Sequence, residues 1–587
     1  MRWSLDELYS DFESEEYKND FERLEKLIEG FTDWAENELN LDGDKIVLLE
    51  DYIKFSEEIL TTFIKLRGFA SLSSSVDARD EKAIQEMDKL SLVYTNLTKP
   101  EVDFKNFLKE VNNLDELINE SELLKEHRFI LKDMKEDTKY LLSEKEEILI
   151  SKMKNTGSNA WGNLQNQLSS KLLVDIVIDE EEKKLPLSVV RNLAYSKDSQ
   201  VRKLAYYAEI KAYKKIEESS AAALNGIKGE VITVSKLRGF QSPLDETLVK
   251  SRMDKKTLDA MIDAMEEFLP VFHKYFKKKA EILGHRDGLP FYGIFAPIGE
   301  VDMRFTYDEA INYIVKNFNK FSEKLGSFVQ EAYDKNWLDV EPREGKRGGA
   351  FCSNLHPIGE SRILSNFDGS FSNMTTLAHE LGHAYHGSTL MDESILNSSY
   401  PMPIAETASI FCETIVVNAA LENISKEEAL SILESSISDA AQVIVDIYSR
   451  FVFESMLFAA RESHPLSVTE LKETMMEAQK KAYGDGLDHS LLHPYMWINK
   501  PHYYSASLNF YNFPYAFGLL FSKGLYAEYL KRGDEFVKEY DALLNATGKN
   551  NIRDVALRMN IDIHNPEFFR NSLKLIESDI EKFISLA

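Results

Sequence analysis

Cysteine is scarce. Two residues, Cys352 and Cys412, in a chain of 587 are too few for a disulfide framework and point to a reducing compartment. An apolar leader is missing as well: residues 1–14 carry Asp6, Glu7, Asp11 and Glu13 where a signal peptide has a basic stretch followed by an apolar one. The expectation is a cytoplasmic protein. Long hydrophobic runs are also lacking. The longest uncharged stretch, 501–522, is interrupted by Ser505, Ser507, Asn509, Asn512 and Pro514, whereas a bilayer span needs about 20 predominantly apolar residues. Positive charge is outnumbered, with 70 Lys and Arg against 98 Asp and Glu and a formal charge of −28. Phosphate backbones and anionic lipid surfaces are repelled on average, so neither nucleic acid nor membrane is an expected partner. With 26 Gly, 15 Pro, 43% hydrophobic and 29% charged residues, the chain falls among soluble globular proteins and outside the collagen-like and disordered classes.

At about 150 residues per domain, the length allows up to four units or one large enzyme body with a lobe. Helical periodicity fills most of it. Phe21, Leu24, Leu27, Ile28, Phe31 and Trp34 recur at steps of three and four with Glu and Lys between them, which is one buried stripe. Similar stripes run through 46–66, 84–97, 104–124, 201–216 and 258–283 without a fixed repeat length, so no solenoid is expected. Pro186 and the polar residues 196–200 suggest a division into an N-terminal helical lobe, 1–190, and a second domain, 191–587. Two stretches break the pattern. Residues 289–305, with Pro290, Gly293, Pro297 and Gly299, read as loops with short strands, and 345–370 reads as a small sheet packed beside the adjoining helix.

That helix carries His379-Glu380-Leu381-Gly382-His383. The two imidazoles lie one turn apart on one face and can converge on a single cation, with Glu380 about 100° around the axis beside them. H-E-x-x-H is a known zinc-peptidase spacing. A chain of this composition produces it by chance in at most about 0.04 cases, so a third ligand is needed to support it. Residues 398–403, Ser-Ser-Tyr-Pro-Met-Pro, end the first helix, and a second restarts near Pro403 with Glu406 directed back at the histidines. Two imidazoles and a carboxylate leave zinc one open position for water. Other zinc-peptidase frames fail: positions 386 and 389 are His and Thr where the extended pattern needs Gly and His, and 402 and 403 are Met and Pro where other frames need a carboxylate. Glu413, two turns beyond Glu406, either accepts the second ring proton of a ligating histidine or is a solvated surface residue. His386 lies on the same side as the pair but is expected to be structural or to support a ligand from behind, because three histidines from one helix would strain a tetrahedron.

These residues, with Thr407-Ala408-Ser409, the upstream 345–351 (Gly-Lys-Arg-Gly-Gly-Ala-Phe), the opening 3–9 (Trp-Ser-Leu-Asp-Glu-Leu-Tyr) and 237–240 (Leu-Arg-Gly-Phe), resemble the oligoendopeptidase F family of thimet-oligopeptidase-type zinc metallopeptidases. The resemblance implies a mainly α, two-lobed helical body around a deep substrate channel, with a small β-sheet next to the zinc-binding helix. It also implies one Zn²⁺ per chain on His379, His383 and Glu406, with Glu380 as general base, and hydrolysis of internal bonds in short unstructured peptides. In that family a His and a Tyr from an aromatic segment stabilise the tetrahedral intermediate; His502 and Tyr515 match best here, with Tyr511 a rival. The family also places substrate along a sheet edge, for which Ser365, Asn366 and Phe367 with Gly348 and Gly349 are the matching positions, the glycines being alternatively turn residues. An exopeptidase of carboxypeptidase type on the same zinc site, or a catalytically silent peptide-binding relative, is the competing expectation. Oligomeric state is left open.

Overall fold

The structure is a computed structural model that describes every residue except 40, 41, 179, 300–302 and 423; part of the 289–305 loop thus lies outside the described residues. The chain is mostly helical with two small sheets. Helix α1 (Glu15–Asn37) starts where Ser14 Oγ accepts from the Tyr17 N–H, and it buries Leu24, Ile28, Phe31 and Trp34, the stripe read from the sequence. Helix α2 (Lys45–Val76), capped by Asp44, packs beside it. Together with the helices up to Leu131 they enclose a first core, to which the far half of the chain contributes buried Leu355 and the partly buried Phe351, Ile358 and Leu396. Each fully buried Leu, Ile or Phe stabilises such a core by about 1.5–3 kcal/mol.

A second, larger core begins at Leu172 and runs to Phe583. Its first element is a hairpin that the sequence did not suggest, β1 (Leu173–Ile178) antiparallel to β2 (Glu181–Pro186). Val174, Ile176 and the partly buried Ile178 of β1 face the core, whereas β2 begins Glu-Glu-Lys-Lys, so the alternation that signals a strand is weak there. Leu187 and Val190 belong to this larger core as well, so the chain passes from one core to the other between Leu131 and Leu172, upstream of the expected division at 190.

The second sheet has the order β3 (Leu338–Asp339), β5 (Glu360–Leu364), β4 (Phe351–Leu355), with β3 parallel and β4 antiparallel to β5. Helix α3 (Phe371–Ser388) comes directly after, capped by Ser370, and lies so close to β4 that a Cβ on Gly387 would meet Asn354 Cγ at 2.3 Å. Helix α4 (Thr407–Ala420) crosses it. Helix α5 (Lys426–Ala441) runs through a π-turn at Gln442–Asp446 into α6 (Ile447–Arg461), and α7 (Phe513–Arg532) and α8 (Pro566–Leu586) close the body. Among the described residues no helix is long and apolar enough to cross a membrane.

Candidate metal centre and active site

Helix α3 presents His379 and His383 one turn apart, with ring centroids at 4.9 Å and planes at 79°. Gly382 lies between them where α4 crosses: a Cβ there would stand 2.6 Å from both Ala408 O and Ser409 Cα. Only glycine admits this approach. It brings in Glu406, which is not inside a helix as expected. Glu406 has φ −87° and ψ 3° and forms the N-cap of α4, after the short turn Met402–Ala405. This break turns the side chain so that Oε2 lies 3.2 Å from His379 Nε2 and 3.4 Å from His383 Nε2. Ser409 Oγ donates to the same oxygen at 2.9 Å, and Gly518 of α7 leaves room for the Glu406 stem.

The three ligand-type atoms lie within 4.8 Å of one another. The electrostatics favour a cation here. Burial opposes charge on His379, but hydrogen bonds to Glu406 and Glu413 prevail and raise its pKa to about 10. Burial likewise opposes the Glu406 carboxylate, and the two imidazoles hold it well below its usual range. Two imidazole nitrogens converging on one carboxylate oxygen are a donor set suited to a divalent ion such as zinc. Glu413 Oε2 is 3.2 Å from His379 Nδ1, which fixes the tautomer that leaves Nε2 free to ligate. Glu380 is 7% exposed. Burial raises its pKa against the opposing pull of His379 and His383, and the Cys352 N–H hydrogen-bonds its carboxylate.

His386 takes no part in the cluster. It is buried, its Nε2 sits 2.9 Å from Thr547 Oγ1 and its ring stacks on Tyr400 at 4.1 Å; burial first, then His383, lowers its pKa to about 3.

The expected aromatic residues form a chain that ends at the cluster. Tyr515 shares a cavity of about 330 Å³ with His379, Glu406 and Glu413. The hydroxyls of Tyr511 and Tyr515 are 2.9 Å apart, and the His502 ring lies 5.6 Å from that of Tyr511. Burial, then the fields of Arg450 and Lys500, lowers the His502 pKa to about 3, so this imidazole is a neutral N–H donor at physiological pH. Sequence reasoning missed what holds the segment. Lys228 Nζ bonds Glu454 Oε1 at 3.0 Å and Asn509 Oδ1 at 2.8 Å, and Glu454 Oε2 accepts from the Phe510 N–H at 3.0 Å, all buried, with Phe510 at φ 50°.

The sheet positions need a correction. Strand β5 is central, paired on both sides, so the segment just beyond it is not a free edge. Ser365 and Phe367 spend their N–H groups on Asp339 O and Val340 O, and Asn366 Nδ2 donates to Arg347 O and Gly349 O. Gly348 and Gly349 are exposed, and Gly349 has φ 81° in the turn before β4. The outer strand beside Glu380 is β4, which carries Cys352.

The family model for peptidase family M3 matches residues 192–575. The chain belongs to peptidase family M3. A second model, described as oligopeptidase F, matches 110–172. Oligopeptidase PepF of Bacillus subtilis is 24% identical over 599 residues, covering 100% of this chain and 87% of that protein. Among solved structures, a chain from Chlamydophila abortus superposes with TM-score 0.87 at 21% identity, covering 100% of this M3 chain and 98% of the other. Oligoendopeptidase F from Enterococcus faecium superposes with TM-score 0.72 at 17% identity, with 97% and 99% covered. The M3 body is thus a mostly helical peptidase fold.

Proposed function

We propose that this M3 peptidase is a zinc-dependent oligoendopeptidase that cleaves internal bonds of short unstructured peptides. The observation that carries the reading is the convergence of His379 Nε2 and His383 Nε2 on Glu406 Oε2, with Glu380 buried beside them. His379, His383 and Glu406 would hold the ion. When bound there, zinc supplies Lewis acidity that polarises a carbonyl and lowers the pKa of water from about 15.7 to about 7.

The remaining work falls to this chain's own side chains. Glu380, with its pKa raised by burial, takes a proton from the attacking water and passes it to the leaving amine. His502 as a neutral donor and Tyr515, backed by Tyr511, stabilise the oxyanion. Broad selectivity fits main-chain pairing of an extended peptide at a sheet edge, and β4 offers that edge. Glu380→Gln is expected to retain zinc and lose turnover, and His383→Ala to lose both; near-normal cleavage by Glu380→Gln rejects the mechanism. Peptides blocked at both termini distinguish the reaction class, since an exopeptidase stops on them and an endopeptidase continues.

A further inference from the structure

A second cavity, of about 250 Å³ and partly open to solvent, lies on the opposite side of the π-turn from the metal-ligand cluster. The π-turn is the partition: Val443 faces the cavity beside His379, whereas Gln442 and Asp446 face this one. Such turns are rare and concentrate at functional sites. The lining is charged, with Arg191, Arg202, Glu209, Asp446, His493 and Lys500. Arg202 is 2% exposed and His493 1%.

The carboxylates are already engaged. Asp446 pairs with Arg450 and accepts from Tyr483 OH at 3.3 Å. Glu209 accepts from Tyr213 OH at 2.7 Å and faces Arg191 at 3.4 Å and His493 Nε2 at 3.7 Å. What remains is positive. The Lys500 ammonium makes no hydrogen bond or ion pair among the described residues. Among the described residues Arg202 is anchored by the carbonyls of Ser196 and Lys197, and its Nε is buried without an acceptor. His493 Nε2 is buried with Glu209 Oε2 at 3.7 Å, beyond hydrogen-bond distance, as its acidic neighbour.

Burying an ammonium and a guanidinium without a compensating anion is costly. Burial, then Arg450, lowers the Lys500 pKa to about 7 against the opposing fields of Asp446 and Glu209, neither of which hydrogen-bonds the amine. We propose that this cavity is a binding site for a small oxyanion, a carboxylate or a phosphate, held by Lys500 and Arg202 with the His493 imidazole as a further donor. The volume suits it: about 250 Å³ admits one such group together with several waters. Exposed Asn192 and Tyr195 form its rim.

The test is calorimetric titration of the zinc-loaded protein at constant ionic strength with acetate, with inorganic phosphate and with acetamide, the uncharged analogue of acetate. One saturable site is expected for at least one anion and none for acetamide, with affinity falling at least ten-fold in Lys500→Met and returning in Lys500→Arg. The tighter anion identifies which oxyanion the site prefers. An anion can also reach the metal, so the titration is repeated on His383→Ala, where the site proposed here survives. Absence of saturable binding, or binding that persists in Lys500→Met and vanishes in His383→Ala, overturns the proposal. Should Lys500→Met not fold, arsenate soaked into crystals decides: an anomalous peak between Lys500 and Arg202 supports the site, and its absence there refutes it.

Discussion

Gly382→Ala tests whether the spacing of two helices sets the metal geometry. The new Cβ would lie 2.6 Å from Ala408 O and Ser409 Cα, both backbone atoms with no rotamer to yield. Restoring ordinary van der Waals contact requires α4 to retreat by about 0.8 Å, and close-packed interiors pass on such a shift instead of absorbing it. Glu406 caps α4 and moves with it. Metal sites tolerate ligand displacements of only about 0.2 Å, so the carboxylate leaves ligating range. Stability changes little by comparison. Alanine gains about 1 kcal/mol over glycine inside a helix, while overpacking costs about 1–3 kcal/mol. The expected outcome is a folded protein with nearly unchanged circular dichroism and zinc affinity lower by at least about ten-fold, the lower bound seen when support around a ligand is lost. Chelator competition measures the affinity and a fluorogenic peptide measures cleavage. Wild-type values for both would refute the idea that this crossing positions Glu406.

Removing one oxyanion donor typically costs about 2.7–4 kcal/mol in the transition state; Tyr515→Phe is expected to lower kcat by that order, and Tyr511→Phe by less, because Tyr515 shares the cavity with Glu406 while Tyr511 reaches it through the Tyr515 hydroxyl. Equal losses, or none, would remove Tyr515 from the role. Glu413→Gln is expected to weaken zinc binding by about 10–100-fold with the fold intact, as loss of a histidine's supporting carboxylate usually does, and direct metal titration checks it. Asp439→Asn bears on pH. Burial, then the carboxylates of Glu413 and Glu434, raises the Asp439 pKa to about 6 in the folded protein. A raised carboxyl pKa penalises the fold at high pH: the penalty is absent below the unfolded value near 3.8, grows between there and about 6, and is complete above. Thermal melts are therefore expected to show Asp439→Asn gaining stability over wild type as pH rises from about 4 to about 7, and a gain independent of pH would contradict this.

The convergence of His379, His383 and Glu406 was legible because its signals are local. The His379–His383 spacing is one helical turn, and Pro401 and Pro403 announce the break before Glu406. The stripe from Phe21 to Trp34 predicted its buried face for the same reason, since each residue's neighbours lie three or four positions away. Other features depend on partners far along the chain. Lys228 and Glu454 are 226 residues apart and each reads as an ordinary surface charge until the fold buries both. The reason for Gly382 is the backbone of Ala408, and the free edge of the small sheet depends on strand order, which alternation within 360–367 does not encode. Hairpin 173–186 escaped notice because one of its strands is Glu- and Lys-rich and keeps no buried face.

Metal removal is expected to silence the site without unfolding the protein. Leu377, Ala378 and Leu381 of α3 and Ala408, Phe411 and Cys412 of α4 are all buried in the large core, so the helix pair that bears the ligands is held by apolar packing. Ser409 and Glu413 orient Glu406 and His379 through hydrogen bonds that involve no ion. Small zinc domains behave differently, because metal binding there supplies the folding energy itself. A zinc ion bound here would contribute by mass action, about 2.7 kcal/mol at a free concentration about 100 times its Kd. Chelated protein is expected to keep its helical circular dichroism, melt at a lower temperature, and regain cleavage when zinc is returned at once. Loss of helix on chelation, or recovery only after denaturation and refolding, would mean that the ion organises α3 and α4, contrary to the packing.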